Sequence, residues 1–176
     1  MILDKIRAFY RSQSGYTFIE MVAVLAISGI IALGAMVANY QLINQTAKNN
    51  DYTAANRHVL NAIQWISHDA QMAQDVSGAS GFPATSNLTL SWTTWDNETV
   101  QVVYSVANGQ LRRNYTAGAG PTQQLLVSQY IDIDPASTNC TWANGELTIT
   151  VTGSVGEGSR IATVTKEKTI TSRPNL

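Results

Sequence analysis

The chain contains one cysteine, Cys140, so it cannot close an intrachain disulfide in any compartment where one would form. An isolated thiol of this kind reads as a small buried residue. Only two histidines are present, His58 and His68. Ten residues apart on a helix they are about 1000° of rotation apart, roughly 80° from coincidence, which excludes an i, i+4 metal pair. Charged residues make up 13% of the 176 positions and the net charge is -1, a balance that does not suggest the basic patch or stripe of a nucleic-acid grip and leaves direct DNA binding unsupported. Prolines number four, and none falls between Tyr16 and Phe82, which leaves that stretch free to form one uninterrupted helix. No Gly-x-Ser-x-Gly elbow and no calcium-binding EF-hand pattern occurs. A hydrolase drawn from His68, Asp69 and a serine lacks geometry, because adjacent helix residues point in different directions. No enzymatic role, no cofactor and no metal is expected.

What the chain does have is an apolar run. From Met21 to Ala38 the only positions that are not greasy are Ser28, Gly29 and Gly34. With Tyr16 to Ile19 added, the run is long enough to cross a hydrocarbon core of roughly 30 Å as a helix. Ahead of it, Lys5, Arg7 and Arg11 stand against Asp4. That balance places the first 15 residues in the cytoplasm and the remainder outside. The anomaly is Glu20, since a carboxylate inside such a run costs on the order of 2.5–3.5 kcal/mol near the bilayer centre, and less toward an interface. It needs a partner. A cut after Gly15 would supply one by exposing an α-amino group on Tyr16, which could neutralise the Glu20 of a neighbouring copy. An ordinary secretory signal cleaved near Ala32-Leu33-Gly34 and a plain single-pass anchor are the simpler alternatives, and both leave Glu20 without a purpose.

Gly15, the aromatic Tyr16, Thr17-Phe18-Ile19, Glu20 and the apolar tail resemble the class III leader of type IV pilins and type II secretion pseudopilins. The resemblance implies that a membrane prepilin peptidase and methyltransferase cuts after Gly15 and methylates Tyr16. It also implies that Glu20 guides packing into a helical fibre, and that an assembly platform and an ATPase act on the subunit. Other pilin or pseudopilin subunits and the membrane are then its partners, with no nucleic acid evident. The subunit is expected in the cytoplasmic (inner) membrane as a single-pass protein, and afterwards in an extracellular or periplasmic fibre. Many major pilins close a C-terminal disulfide and kink the membrane half of the helix at a proline. This chain can do neither, which points to a minor subunit.

Beyond the apolar run, polar residues from Asn39 to Asn50 give way to Tyr52, Ala55, Val59, Ala62 or Ile63, Ile66, Ala70 and Ala73. Spacings of three and four put these on one helix face that must pack on something. The Ser-, Gly- and Ala-rich segment from Asp75 to Ser86 reads as a loop. The period then changes to two. Leu88 to Trp92 and Thr99 to Val106 alternate, and Asn108-Gly109 predicts a tight hairpin into Gln110 to Tyr115. Leu125 to Ile133, Glu146 to Thr152 and Ile161 to Thr171 complete the expected strands. One helix followed by strands predicts an α+β fold, a long N-terminal helix packed on an antiparallel β-sheet in the pilin manner. The expected divisions are a leader over 1–15, a transmembrane and fibre-core helix over 16–38, an amphipathic upper helix over 39–75 and a β domain over 76–176. Val102 to Arg112 and Arg57 to Asp69 resemble segments of J-type minor pseudopilins and related minor pilins.

Three further groups of residues suggest themselves. Trp92, Trp95 and Trp142 could form an adhesive or carbohydrate-binding surface, although aromatics more often fill small cores. Asp132 and Asp134, with Asp96 to Glu98, are the acidic candidates for calcium, without a matching loop signature. Asn44, Asn87, Asn97, Asn114 and Asn139 each begin an Asn-x-Ser/Thr sequon. A membrane-anchored adhesin or ligand-binding module, with the helix as a mere tether, is the alternative to a fibre subunit.

Overall fold

The structure is a computed structural model, and it describes residues 17–172. Among the described residues one α-helix, α1, runs from Phe18 to Met72. Its length matches a stretch without proline in which Gly29 and Gly34 are the only weak helix formers of the glycine type. The chain divides into two compact units between Gln45 and Thr46, inside this helix.

In the first unit the apolar side chains from Phe18 to Ile43 are all exposed. The most apolar 18-residue window of α1 has a mean hydropathy of 2.5 and none of it is buried. By length and composition it can cross a membrane.

The second unit is built on the end of α1. The buried positions are Ala55, Val59, Ala62, Ile63, Ile66 and Ala70, with Ala73 just past the helix, as the three-and-four spacing predicts. Tyr52 is exposed and lies off that face. The helix stops at Met72, short of the expected 75, because Asp75–Ser77 already pairs as a strand, β1, where a loop is predicted. β2 (Leu88–Thr93), β3 (Thr99–Ala107), β4 (Gln110–Ala117) and β5 (Gln123–Ser128) follow, giving one antiparallel sheet in the order β1-β2-β3-β4-β5. A second antiparallel sheet holds β6 (Asn139–Ala143), β7 (Glu146–Val155) and β8 (Ala162–Thr171) in the order β6-β7-β8. The fold is therefore α+β, with the helix packed against an antiparallel layer that is divided into two sheets rather than one.

Alternation explains which faces are inside. Leu88, Leu90, Val100, Val102, Tyr104 and Leu111 of the first sheet, and Leu147, Ile149, Val151, Val164 and Ile170 of the second, join the helix positions in one buried cluster. Between β3 and β4, Asn108 and Gly109 both take positive φ, 52° and 72°, the left-handed pair that a two-residue hairpin turn requires. Asn144 and Gly145 repeat this between β6 and β7 with φ of 54° and 79°. The expected strand over 125–133 ends instead at Ser128, because Tyr130 adopts φ of 61° and turns the chain. The sheets are stitched together just beyond it. Ile131 N–H donates to Gly109 O at 2.9 Å, Asp132 N–H to Thr152 O at 2.9 Å and Ser154 N–H to Tyr130 O at 2.9 Å.

Gly153 in β7 lies close against the helix. A Cβ placed there would lie 2.8 Å from Val59 Cγ2 and 3.3 Å from Tyr130 O, closer than packed atoms allow.

Candidate assembly site at the helix start

The residues at the start of α1 carry the sharpest expectation from the sequence. Glu20 lies in the first turn. Thr17 N–H donates to Glu20 Oε2 at 2.9 Å and Thr17 Oγ1–H donates to the same oxygen at 3.0 Å. Glu20 N–H in turn reaches Thr17 Oγ1 at 3.4 Å. This is a reciprocal capping box, in which a Thr and a Glu three residues later satisfy each other's backbone donors. The spacing Thr17-x-x-Glu20 is a sequence signature in its own right, and it gives Glu20 a partner within its own chain. Gly15 and Tyr16 lie outside the described residues.

Around the cap the surface is apolar on every side, from Phe18 and Ile19 to Met36 and Val37. Gly29 and Gly34 leave open notches in it, with no atom within 4 Å of where a Cβ would stand. Small residues of this kind let two apolar helices approach closely in lipid.

The second unit contains a polar cluster that sequence reasoning missed. Asp69, fully buried, receives Arg113 Nε–H at 2.6 Å and Arg113 Nη2–H at 3.0 Å, and accepts Tyr104 O–H at 2.5 Å. The Arg113 guanidinium also lies 5.2 Å from the Trp65 ring centroid and 5.0 Å from that of Tyr115. Burial, joined by the Asp69 carboxylate, holds the Tyr104 hydroxyl well above the ordinary phenol range. Burial works against the Arg113 charge, but the hydrogen bonds and field of Asp69 outweigh it and its proton is held more tightly than usual. Nothing local announces this pairing, since 44 residues separate Asp69 from Arg113.

The other candidates disperse. His68 does meet Asp69, at 3.4 Å, contrary to the expectation that neighbouring helix residues diverge. The Asp69 oxygens are nevertheless committed to Arg113 and Tyr104. His58 Nδ1 accepts from Gln129 N–H at 3.3 Å, a structural role at the end of β5. Asp132 and Asp134 turn onto the backbone N–H groups of Asp134 and Ala136, each at 3.0 Å. Among the described residues no group of three or more His, Cys, Asp or Glu is placed to hold a metal. Cys140 is buried, which pushes its thiol up to about 12. Trp92 and Trp142 pack against the core, whereas Trp95, in the turn between β2 and β3, is 93% exposed.

A long, exposed apolar helix opened by a Thr-Glu cap, continuing into an α+β domain with antiparallel sheets, is a pilin-like arrangement. The comparison with protein families agrees. Residues 10–36 match the prokaryotic N-terminal methylation motif, the class III leader of type IV pilins, and the chain carries that motif. No curated protein and no solved structure matches the chain. The motif supports a prepilin-type subunit, anchored by its apolar helix, that assembles with other pilin subunits and is handled by processing machinery. Such subunits are structural rather than catalytic.

Proposed function

We propose that this chain is the precursor of a fibre subunit, cut after Gly15 by a prepilin peptidase that also methylates the new amine of Tyr16. The observation that carries the proposal is Glu20, a carboxylate on an otherwise apolar, fully exposed helix stretch and inside the methylation motif. In the precursor, Thr17 satisfies it. After the cut, the cationic amine of a neighbouring subunit competes for the same oxygen, and apolar surroundings strengthen that pair. Leader residues stay in the cytoplasm, the helix lies first in the inner membrane and then in the fibre core, and the β domain lies on the outside. A platform and an ATPase drive the transfer. The chain is a minor subunit of a type IV pilus or a type II secretion pseudopilus, of the J-type or a related kind. It lacks a helix-kinking proline in the membrane half and a cysteine pair.

The direct test is the N-terminal residue and mass of the protein from its own cells. A chain beginning at Tyr16, with or without an added methyl, is expected. One beginning after Gly34, or still at Met1, would replace the fibre subunit with a secreted or merely anchored domain. Gly15→Leu should block the cut, because a bulky side chain beside the scissile bond keeps the backbone away from the peptidase. The alternative, an anchored adhesin or ligand-binding module, draws its support from the exposed Trp95 and needs neither the cut nor Glu20.

A further inference from the structure

Unpaired strand edges are where a β domain can gain a strand, and proteins guard them by shortness, by covering segments or by edge charges. The two sheets present four edges among the described residues. β1 is only three residues long. β6 has the 3-10 turn Ala79–Gly81 packed beside it. β8 carries Lys166, Glu167 and Lys168 in sequence. β5 reads Gln-Gln-Leu-Leu-Val-Ser, with neither charge nor proline. Its last two residues are closed by the helix, where Asn61 Nδ2–H donates to Val127 O at 2.5 Å and Ser128 Oγ–H donates to His58 O at 2.7 Å. Its first four residues, Gln123 to Leu126, are exposed throughout, with Leu125 at 41% and Leu126 at 45%. Three edges are guarded, and the first four residues of the fourth are not.

We propose that the open Gln123–Leu126 edge pairs antiparallel with the same edge of a second copy of this chain, so that two domains share one continuous sheet across a two-fold axis. Antiparallel pairing of one edge with itself is the isologous contact that a two-fold generates. An uncharged segment makes that contact without setting like charges opposite each other, whereas self-pairing of β8 would bring Lys166 and Lys168 of both copies together. Pairing covers Leu125 and Leu126, which otherwise face water. A two-fold contact cannot propagate along a helical fibre, so this one joins subunits of different fibres or subunits outside a fibre, and it does not rest on the fibre reading. Four residues make a small interface, weak for a single pair and additive where many copies are arrayed.

The test uses the full chain in detergent micelles, with sedimentation and amide hydrogen exchange followed from low to high micromolar concentration. The expected result is a monomer–dimer equilibrium in which the Gln123–Leu126 amides gain protection as concentration rises. Leu126→Lys should raise the dissociation constant about tenfold or more by placing like charges at the join, while Thr169→Lys on β8 should leave it unchanged. No concentration-dependent protection at these amides would overturn the proposal. So would a dimer that survives both Leu125→Lys and Leu126→Lys, which would put the contact in the apolar helix. Protection that appears only when another pilin-type subunit is added would make that subunit the occupant and exclude self-pairing.

Discussion

Glu20 and Asp69 are carboxylates near opposite ends of one helix, and the chain satisfies them in opposite ways. Glu20 sits on a stretch with no tertiary cover and relies on a local cap from Thr17. Asp69 is buried and relies on Tyr104 of β3 and Arg113 of β4. A local cap is easily exchanged for a stronger partner, because it costs only the bonds of one helix turn. A buried ion pair cannot be exchanged without opening the core. The contrast separates a carboxylate held only by its own helix turn, as the proposed assembly role requires, from one committed to folding.

Replacing each acid in turn is the sharpest way to break the comparison. Glu20→Ala should abolish fibre assembly while leaving processing and the thermal melting of the β domain unchanged; normal fibres from the mutant would remove Glu20 from assembly. Asp69→Ala should do the reverse of this at the domain. It strands a half-buried arginine and an unpaired tyrosine hydroxyl, and should cost about 3–5 kcal/mol in chemical unfolding. A loss below about 1 kcal/mol, the size of an exposed pair, would mean that the cluster is not desolvated.

Smaller effects sharpen the same division. Gly153→Val would force a side chain against Val59 and the Tyr130 carbonyl, and overpacking of this kind costs about 1–3 kcal/mol in urea unfolding. The pH dependence has a definite sign. Tyr104 and Cys140 hold their protons more tightly when folded than at their ordinary values of 10.0 and 9.0. Their contribution is therefore complete below the lower of these values and is lost as pH rises above it, so the unfolding midpoint should fall from about pH 9 upward. Tyr104→Phe should make the fall shallower above pH 10. Least of all, Thr17→Val removes a cap at the far end of the helix and should fray its first turn, a local loss of about 1 kcal/mol that circular dichroism in micelles would detect.

How much was legible in the sequence follows the range of the forces involved. The helix, its buried face and the Asn108-Gly109 hairpin depend on residues a few positions apart, and apart from the exposed Tyr52 and the helix's last three positions they lie where the spacing predicts. Asn144-Gly145 carries the same hairpin signal, but it went unread because the five residues of β6 before it are too short a run to show a period. Strand periodicity shows which residues face inward and is silent about which strand pairs with which, so the division into two sheets was out of reach. The cluster of Asp69, Arg113 and Tyr104 exists only once α1, β3 and β4 have come together. Thr17-x-x-Glu20, by contrast, is a local signal, a capping box with a spacing of three residues that satisfies Glu20 without a second subunit.

The backbone stitch from Tyr130 to Asp132 has a thermodynamic consequence. Its three hydrogen bonds reach the β3–β4 hairpin on one side and Thr152 and Ser154, in the last part of β7, on the other. Neither sheet can melt while the other keeps its native ends, and both draw on a single buried cluster. The eight strands should therefore disappear in one calorimetric transition, with equal calorimetric and van't Hoff enthalpies. To a cell that pulls on or degrades this domain, its two sheets amount to a single all-or-none switch.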